Sequence, residues 1–451
     1  MYDLVVIGGG PGGYTGAIRA AKLGMKVALI EKDKVGGTCL NRGCIPTKAL
    51  LKAAELYDSR AEWQSLGVNA GEVTFDETKA YENKQNIVST LNNGVLSLVK
   101  ANKIDFFEGE GKIVNENTVS VNDQILETKF MLIATGSVPA GYNPKRPVEG
   151  IESAYNSDAV LGTPIDADDI IIIGAGVIAI EFAYYYSSIG KKVTVLAPKE
   201  RILTMAGKDT SSQLGVILKK KNVKIITNAS PKKVESNSVT YEVNGKEATI
   251  TGGAVIAAVG RNAVTKNIGL ENTAVSYDKF IKVDENMYTG VAGIYACGDV
   301  TGKIMLAHFA AASAITAVES MLNKPHSMNL SVCPSCIYTL PEIAMVGAKE
   351  EDDPSYKTTK FLMGGNGKAL IEGCAKGFIK VVTNADDVVV GAELFCVHAT
   401  DMVGELALAI SKKMKVSQVA DVIHPHPTVM EAVGECLEDV HGLATHAMPK
   451  R

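Results

Sequence analysis

The residues best suited to chemistry are two cysteines in Gly36-Gly-Thr-Cys39-Leu-Asn-Arg-Gly-Cys44-Ile-Pro-Thr-Lys48. Two thiols with four residues between them, at the start of the helical run Ala49–Leu56, can close a small disulfide. Helix N-terminal N–H groups, with Lys48 in the next turn, favour a thiolate. Inert or metal-binding cysteines are the other reading of such a pair, and the flanking glycines argue against metal. At the far end of the chain stands His424-Pro-His426-Pro-Thr-Val-Met-Glu431. A histidine five residues before a carboxylate, with prolines fixing the local backbone, suits a held imidazole whose partner raises its pKa and selects one tautomer.

These groups need elements to hold them. Tyr2–Ile7 reads as a strand running into Gly8-Gly-Gly10-Pro-Gly-Gly13, followed by a helix from about Tyr14 to Leu23 and a strand Val27–Ile30 ending on Glu31. Gly8 permits the tight turn, Gly10 lets backbone approach a pyrophosphate, and Gly13 lets helix and strand pack closely. The helix N-terminus meets the phosphates, and Glu31 is placed to accept from a ribose diol. A second copy follows: strand 169–173, then Gly174-Ala-Gly176-Val-Ile-Ala179, a helix through Tyr186, and strand 192–196. Two such units imply two dinucleotides, or one dinucleotide and a redox partner. In the second copy Ala179 replaces the third glycine, and Ala197 stands where the first copy has Glu31. Losing that carboxylate removes the 2′-hydroxyl acceptor and the repulsion against a 2′-phosphate. With Lys199 and Arg201 close behind, the pocket favours NADP over NAD. The other reading is a solvated basic turn with NAD bound.

From the string GGTCLNRGCIPTK onward the chain resembles the pyridine nucleotide-disulfide oxidoreductase family, in its lipoamide branch, over nearly its whole length. Ala134-Thr-Gly-Ser-Val-Pro139 looks like the family's crossover segment, Ala258-Val-Gly-Arg261-Asn262 like the exit from its nicotinamide domain, Gly293–Gly302 like its second FAD motif, and Tyr338-Thr-Leu-Pro-Glu342 like the entry to its dimerisation domain. The resemblance implies an α/β fold of two Rossmann-like dinucleotide-binding domains, for FAD and NAD(P), plus a C-terminal α/β dimerisation domain. It divides the chain into a FAD domain (1–148), a nicotinamide domain (149–263), a central domain (264–329) and an interface domain (330–451). It implies a Cys39–Cys44 redox disulfide with Cys39 as interchange thiol, His426 as base with Glu431, and a Lys48 and Glu181 ion pair beside the flavin. His424 is structural. Thr38, Thr135, Gly136 and Asp299 would contact FAD, with Asp299 on the ribitol, and Gly174, Gly176 and Gly260 would line the nicotinamide site.

The implied reaction is oxidation of protein-bound dihydrolipoamide by NAD(P)+, in a homodimer whose His-Glu pair reaches the other subunit's cysteines. The lipoyl group would come in trans, from the lipoyl-bearing component of a 2-oxo acid dehydrogenase or from a glycine-cleavage carrier protein, because the chain starts directly in the first FAD strand. An NADPH-dependent reductase of another disulfide, such as glutathione, is the alternative. The tail His446-Ala-Met-Pro-Lys-Arg451 lacks the cysteine pair of a mercuric reductase. A non-enzymatic flavoprotein is disfavoured by the intact cysteines, His-Glu pair and glycine motifs.

Composition agrees with a globular enzyme. The chain of 451 residues suggests two to four domains, and its 46% hydrophobic and 21% charged residues are ordinary. A net charge of −4 with interspersed signs favours neither nucleic acid nor a membrane surface. No apolar run approaches the ~20 residues of a membrane helix, and no signal peptide precedes the first strand, so the cytoplasm is expected. Cys297, Cys374, Cys396 and Cys436 read as small hydrophobes. Cys333-Pro-Ser-Cys336 is formally C-x-x-C, with no second pair to complete a zinc site.

Overall fold

The computed structural model describes residues 1–141 and 147–448. Residues 142–146, which follow the crossover segment, and Pro449, Lys450 and Arg451 of the tail lie outside the described residues. The chain folds as two units. The first comprises Met1–Gly174, Pro231–Glu242 and Glu247–Leu330, and the second Ala175–Ser230, Val243–Lys246 and Ser331–Arg451.

The first unit is built on β1 (Tyr2–Ile7), whose apolar residues are buried on both faces, as a central parallel strand requires. It pairs in parallel with β2 (Val27–Glu31), Leu4 opposite Val27, and with β6 (Gln124–Ile133), Leu4 opposite Phe130. With β3 (Asp105–Glu108), β4 (Lys112–Asn115) and β5 (Thr118–Val121), the sheet order is β3-β2-β1-β6-β5-β4. The two-residue strand period assigns side chains to separate cores. Leu4, Val6 and Leu29 face a cluster with Ala17 and Ala20 of α1 (Pro11–Lys22) and Ala314 and Ala317 of α9 (Ala307–Met321). Val5, Ile7, Ala28 and Ile30 face the opposite cluster with Ile113, Val119 and Ile294.

Small residues let α1 lie this close. A Cβ on Gly16 would come within 2.8 Å of Leu132 Cδ2, and one on Gly13 within 1.7 Å of the Gly8 carbonyl oxygen. After β2 the chain forms α2 (Gly37–Arg42) and α3 (Cys44–Asp58), then the short α4 (Arg60–Trp63) and the long α5 (Glu77–Ala101). The helix therefore starts at Cys44 itself, five residues before the run expected from sequence. On α5, the Tyr81 hydroxyl and buried Lys84 ammonium donate to the Val160 and Leu161 carbonyls at 2.7 and 2.6 Å. Both pin the C-terminal turn of α6 (Ser157–Gly162), where a cation is favoured.

Further pairings close the unit. β7 (Ser137–Pro139) runs antiparallel to β15 (Arg261–Ala263), and β8 (Asp169–Ile173) parallel to β14 (Ala254–Ala257). β16 (Ile294–Ala296) adds to β6 with Ala296 opposite Ile133. A three-stranded sheet comprises β11 (Ser230–Glu235), β12 (Ser238–Val243) and β13 (Lys246–Thr251).

In the second unit, α7 (Val177–Ser188) leads to β9 (Lys192–Leu196), which pairs in parallel with β10 (Val223–Ile226) across α8 (Lys208–Lys220). The rest is an antiparallel sheet of order β17-β18-β21-β20-β19, formed by Ser335–Ile337, Glu342–Gly347, Val389–Cys396, Phe378–Thr383 and Lys357–Leu362 respectively. Its core holds Leu394 and Ile379 with Leu406 of α11 (Ala399–Ser411), Val419 of α12 (Val416–Ala420) and Val433 of α13 (Glu431–Glu438). The short α10 (Gly367–Ile371) contributes Ala369. Among the described residues, no helix is long and apolar enough to cross a membrane.

Gly13→Ala is expected to prevent the first glycine turn from closing, so that the purified protein lacks flavin absorbance. Gly176→Ala has nothing within 4 Å of the added Cβ and is expected to leave circular dichroism unchanged.

Candidate active site

The two cysteines sit on either side of a helix break. Gly36 and Gly37 take positive φ (+95° and +55°) to turn the chain out of β2 into α2, which carries Cys39, and α3 begins with Cys44 after Gly43. At Gly43 a Cβ would lie 2.8 Å from the Thr38 carbonyl oxygen, so only glycine lets the helices meet this closely. The Asn41 amide secures the preceding turn by donating to the Val35 and Gly37 carbonyls at 3.1 and 2.9 Å. Thr47 Oγ1 returns a 2.6 Å hydrogen bond to the Gly43 carbonyl.

Cys39 is half-buried and Cys44 is exposed. Cys39 is pushed well up from the ordinary thiol value. Its S–H is hydrogen-bonded to Cys44, burial adds to the effect, and the Lys48 charge only partly opposes it. The S–H to sulfur bond outweighs the helix and lysine effects because it favours the protonated form directly.

Around the first glycine turn the residues fit a flavin dinucleotide. The N-cap Gly10 carries no side chain over the start of α1, and Gly37 packs so near that a Cβ on it would be 2.6 Å from Gly10 Cα. The first-turn N–H groups of a helix have no intrahelical partner, leaving a cradle suited to a pyrophosphate. Glu31 Oε2 accepts from Gly9 N–H at 2.6 Å and Oε1 from Asp33 N–H at 2.9 Å, and each oxygen keeps a lone pair for a ribose hydroxyl.

The β16 to β6 pairing delivers Asp299 beside the Thr135-Gly136 turn at the carboxyl ends of the strands, where nucleotides bind in such sheets. There Arg261 joins four segments. Its guanidinium donates to Ser137 Oγ and the Ser137 carbonyl, both at 2.7 Å, and to Thr38 Oγ1 at 3.3 Å. Its charge lies 4.0 Å from Asp299, which accepts from Ser137 Oγ at 2.5 Å. Thr135 Oγ1 donates to the Val264 carbonyl at 2.7 Å, and Gly136 and Gly260 take positive φ. Asp158, on α6, faces Arg42 and Arg261. Burial raises its carboxyl pKa against the lowering pull of both cations. Sequence reading placed Arg261 only in a domain exit and did not single out Ser137 or Asp158. The one available signal was an arginine following glycine straight after an apolar strand.

In the second unit Glu181 is buried on α7 and accepts the Tyr338 backbone N–H at 3.0 Å. Gly174 closes the first unit with a positive φ, and its Cβ would lie 2.4 Å from the Ala258 carbonyl oxygen. Gly176 is the N-cap of α7, and Ala179 and Ala197 are fully buried. Lys199 Nζ reaches Thr204 Oγ1 at 3.4 Å. Arg201 departs from the phosphate-binding reading. Its guanidinium is spent on the Ala206, Thr204 and Leu203 carbonyls and on Ser211 Oγ, at 2.8, 3.0, 3.3 and 2.7 Å, so it braces its own turn.

The two histidines differ in exposure and in partner. The His424 side chain is 8% exposed and bonded to Glu405 at 3.1 Å, whereas that of His426 is 80% exposed with Nδ1 2.9 Å from Glu431 Oε1. The second Glu431 oxygen accepts Thr428 N–H at 2.8 Å. That backbone bond, helped by His426 and His446, holds the Glu431 carboxyl below its ordinary range. With Nδ1 engaged, Nε2 is the nitrogen available for proton transfer.

The other cysteines pack as small apolar groups. Burial pushes Cys297 up to about 12 and Cys396 higher. Cys436 donates to the Thr359 and Ile379 carbonyls, and Cys374 is buried. Cys336 lies on β17 opposite Ala344, while the Cys333 thiol rests on the Pro334 carbonyl.

Residues 2–314 match the family model described as pyridine nucleotide-disulphide oxidoreductase, and 333–437 match that family's dimerisation domain. The chain belongs to the pyridine nucleotide-disulphide oxidoreductase family. A dihydrolipoyl dehydrogenase of Bacillus subtilis is 39% identical, with 99% of each chain covered. Enzymes of the same name are 36% identical in Geobacillus stearothermophilus, covering 99% of this chain and 98% of the relative, and 34% identical in Mycoplasma pneumoniae, covering 96% and 97%. Among solved structures, LpdA from Mycobacterium tuberculosis superposes with a TM-score of 0.89 at 22% identity, over 97% of this chain and 99% of that one, and shares the fold. The HOCl-induced flavoprotein disulfide reductase RclA from Escherichia coli has a TM-score of 0.86 at 25% identity, with the same coverage.

Arg261→Met leaves Asp299 and the Ser137 carbonyl without their cation, an expected cost of about 2 kcal/mol. Thermal unfolding should show a midpoint several degrees lower, with Arg261→Lys between the two.

Proposed function

We propose that this chain oxidises protein-bound dihydrolipoamide through the Cys39 and Cys44 pair, with FAD and NAD(P)+. The observation that carries the reading is the S–H to sulfur contact across the Gly43 break, in a chain aligned end to end with dihydrolipoyl dehydrogenases. In the oxidised enzyme these sulfurs form a disulfide. His426 Nε2 takes a proton from one substrate thiol, and the thiolate attacks Cys39 Sγ, breaking the disulfide and releasing Cys44 as a thiolate. The second substrate thiol attacks the substrate sulfur of the mixed disulfide, its proton passing to the departing Cys39 while His426 keeps the first. Cyclic lipoamide leaves, and Cys39 departs with a proton, the species its raised pKa favours. Glu431 keeps His426 oriented and balances its charge. FAD, when bound, supplies the two-electron acceptor that links the dithiol to the nicotinamide coenzyme. Thr38, Ser137, Arg261 and Asp299 would hold it, and Lys48 would supply charge beside it.

The active unit is a homodimer in which His426 and Glu431 serve the partner's cysteines. The lipoyl group arrives on a separate carrier protein in the cytoplasm. NADP+ is the preferred coenzyme, because Ala197 offers no carboxylate to a 2′-phosphate and Lys199 is held only by a 3.4 Å contact.

Steady-state oxidation of dihydrolipoamide with NAD+ and NADP+ in turn tests this. Turnover should fall on the order of 10³-fold in Cys44→Ser, and Lys199→Ala should lower kcat/KM about tenfold for NADP+ alone. A clear NAD+ preference would overturn the coenzyme assignment and keep the reaction. Reduction of glutathione disulfide by NADPH, with no turnover of dihydrolipoamide, would move the chain to the other branch.

A further inference from the structure

Helix α8 starts on Gly207, which has no side chain to cap it, and the cap comes from another element. Glu393 of β21 accepts the Gly207 N–H at 2.8 Å and the Thr210 hydroxyl at 2.6 Å, both on Oε1. Its other oxygen stands where a side chain at 207 would go, since a Cβ there would lie 2.4 Å from Oε2. Lys380 of β20 faces that same oxygen at 3.6 Å. The buried carboxylate thus sits between a helix N-terminus and a cation, where negative charge is favoured.

This cap holds the turn that follows β9. Ser211, next to Thr210, donates to the Ile202 carbonyl at 2.6 Å and accepts the Arg201 guanidinium at 2.7 Å. Arg201 in turn gathers the Leu203, Thr204 and Ala206 carbonyls. Leu203 takes φ +45°, which a leucine keeps only where its surroundings fix it. Its N–H donates to the Ala175 carbonyl, inside the second glycine motif, at 2.9 Å. Thr204 carries the hydroxyl that Lys199 Nζ reaches at 3.4 Å. A run of hydrogen bonds and adjacent residues therefore leads from the dimerisation sheet to the second glycine turn.

We propose that Glu393 is a positioning residue for the nicotinamide coenzyme: by capping α8 from β21 it fixes the 199–206 turn, and with it Lys199, against the coenzyme's adenosine ribose. The inference rests on the reading of Ala197 and Lys199 as the residues that choose the coenzyme. A lysine on a loose turn must be ordered when the phosphate binds, and that ordering costs affinity. Without the carboxylate, the Gly207 N–H and the buried Thr210 hydroxyl lose their acceptor, and the first turn of α8 releases Ser211 from Arg201.

The test is isothermal titration calorimetry of the full-length holoenzyme with NADP+ and with NAD+, alongside thermal melting, in wild type, Glu393→Ala, Glu393→Gln, Thr210→Val and Lys199→Ala. Glu393→Ala should weaken NADP+ binding about fivefold, and NAD+ binding less. Glu393→Gln keeps the accepting oxygen and should recover most of the loss. Thr210→Val, a milder change of similar volume, should show a smaller loss in the same direction. Lower melting in Glu393→Ala and Thr210→Val with both dissociation constants unchanged would overturn the proposal and leave Glu393 a purely structural cap. A loss as large in glutamine as in alanine would also overturn it. Lys199→Ala without effect on either coenzyme would instead remove the reading of the turn on which the proposal stands.

Discussion

The close approach of two short helices at Gly43 is the constraint on which the rest depends. Sulfur chemistry by exchange needs two sulfurs within bonding reach in one redox state and within hydrogen-bonding reach in the other. A continuous helix would not satisfy both, because positions five apart diverge around its axis. Breaking the helix after Arg42 and restarting it at Cys44 places the second sulfur at a helix start while the first stays on the preceding turn. The Thr38 carbonyl stands where any Cβ at residue 43 would have to go. The same geometry sets the Cys39 S–H against Cys44, which together with burial raises the Cys39 thiol against the pull of Lys48.

The surrounding architecture reads as the means of holding that junction against the cofactor site. β16 adds to β6 in a register that brings residue 299 alongside residues 134–136, and Arg261 then ties both to Thr38, next to Cys39. One guanidinium thus connects the glycine-rich entry, the crossover and the second FAD motif. Lysine could not span these acceptors, since the arrangement uses separate nitrogens of a planar fork. On the far side, α5 reaches α6 through Tyr81 and Lys84 and steadies the helix from which Asp158 faces the same arginine.

Much of this was legible in the sequence wherever chemistry was written in contiguous residues. The glycine turns, the cysteine string and the His426 and Glu431 spacing each announce a local geometry, because glycine, proline and helix starts act within a few positions. The Arg261 network was not legible, since it joins residues 38, 137, 261 and 299 from separate segments that only sheet register brings together. The contact of the Cys39 thiol with Cys44 was not legible for a related reason: helix ends and lysines can be read by position, whereas an S–H to sulfur contact depends on how two helices meet. Arg201 shows the opposite error. A basic residue near a nucleotide turn suggests a phosphate ligand, but carbonyls turned inward by the 203–206 turn claim it first. Its charge was visible in the sequence and its commitments were not.

The most direct test of the central claim is cysteine mapping by alkylation and mass spectrometry, before and after one equivalent of dihydrolipoamide is added to the oxidised holoenzyme without coenzyme. The account predicts a disulfide linking Cys39 to Cys44 before reduction. After reduction both should be alkylated, with the other six cysteines unchanged. Cys39 and Cys44 alkylated equally in both states, or a change confined to Cys333 and Cys336, would contradict it.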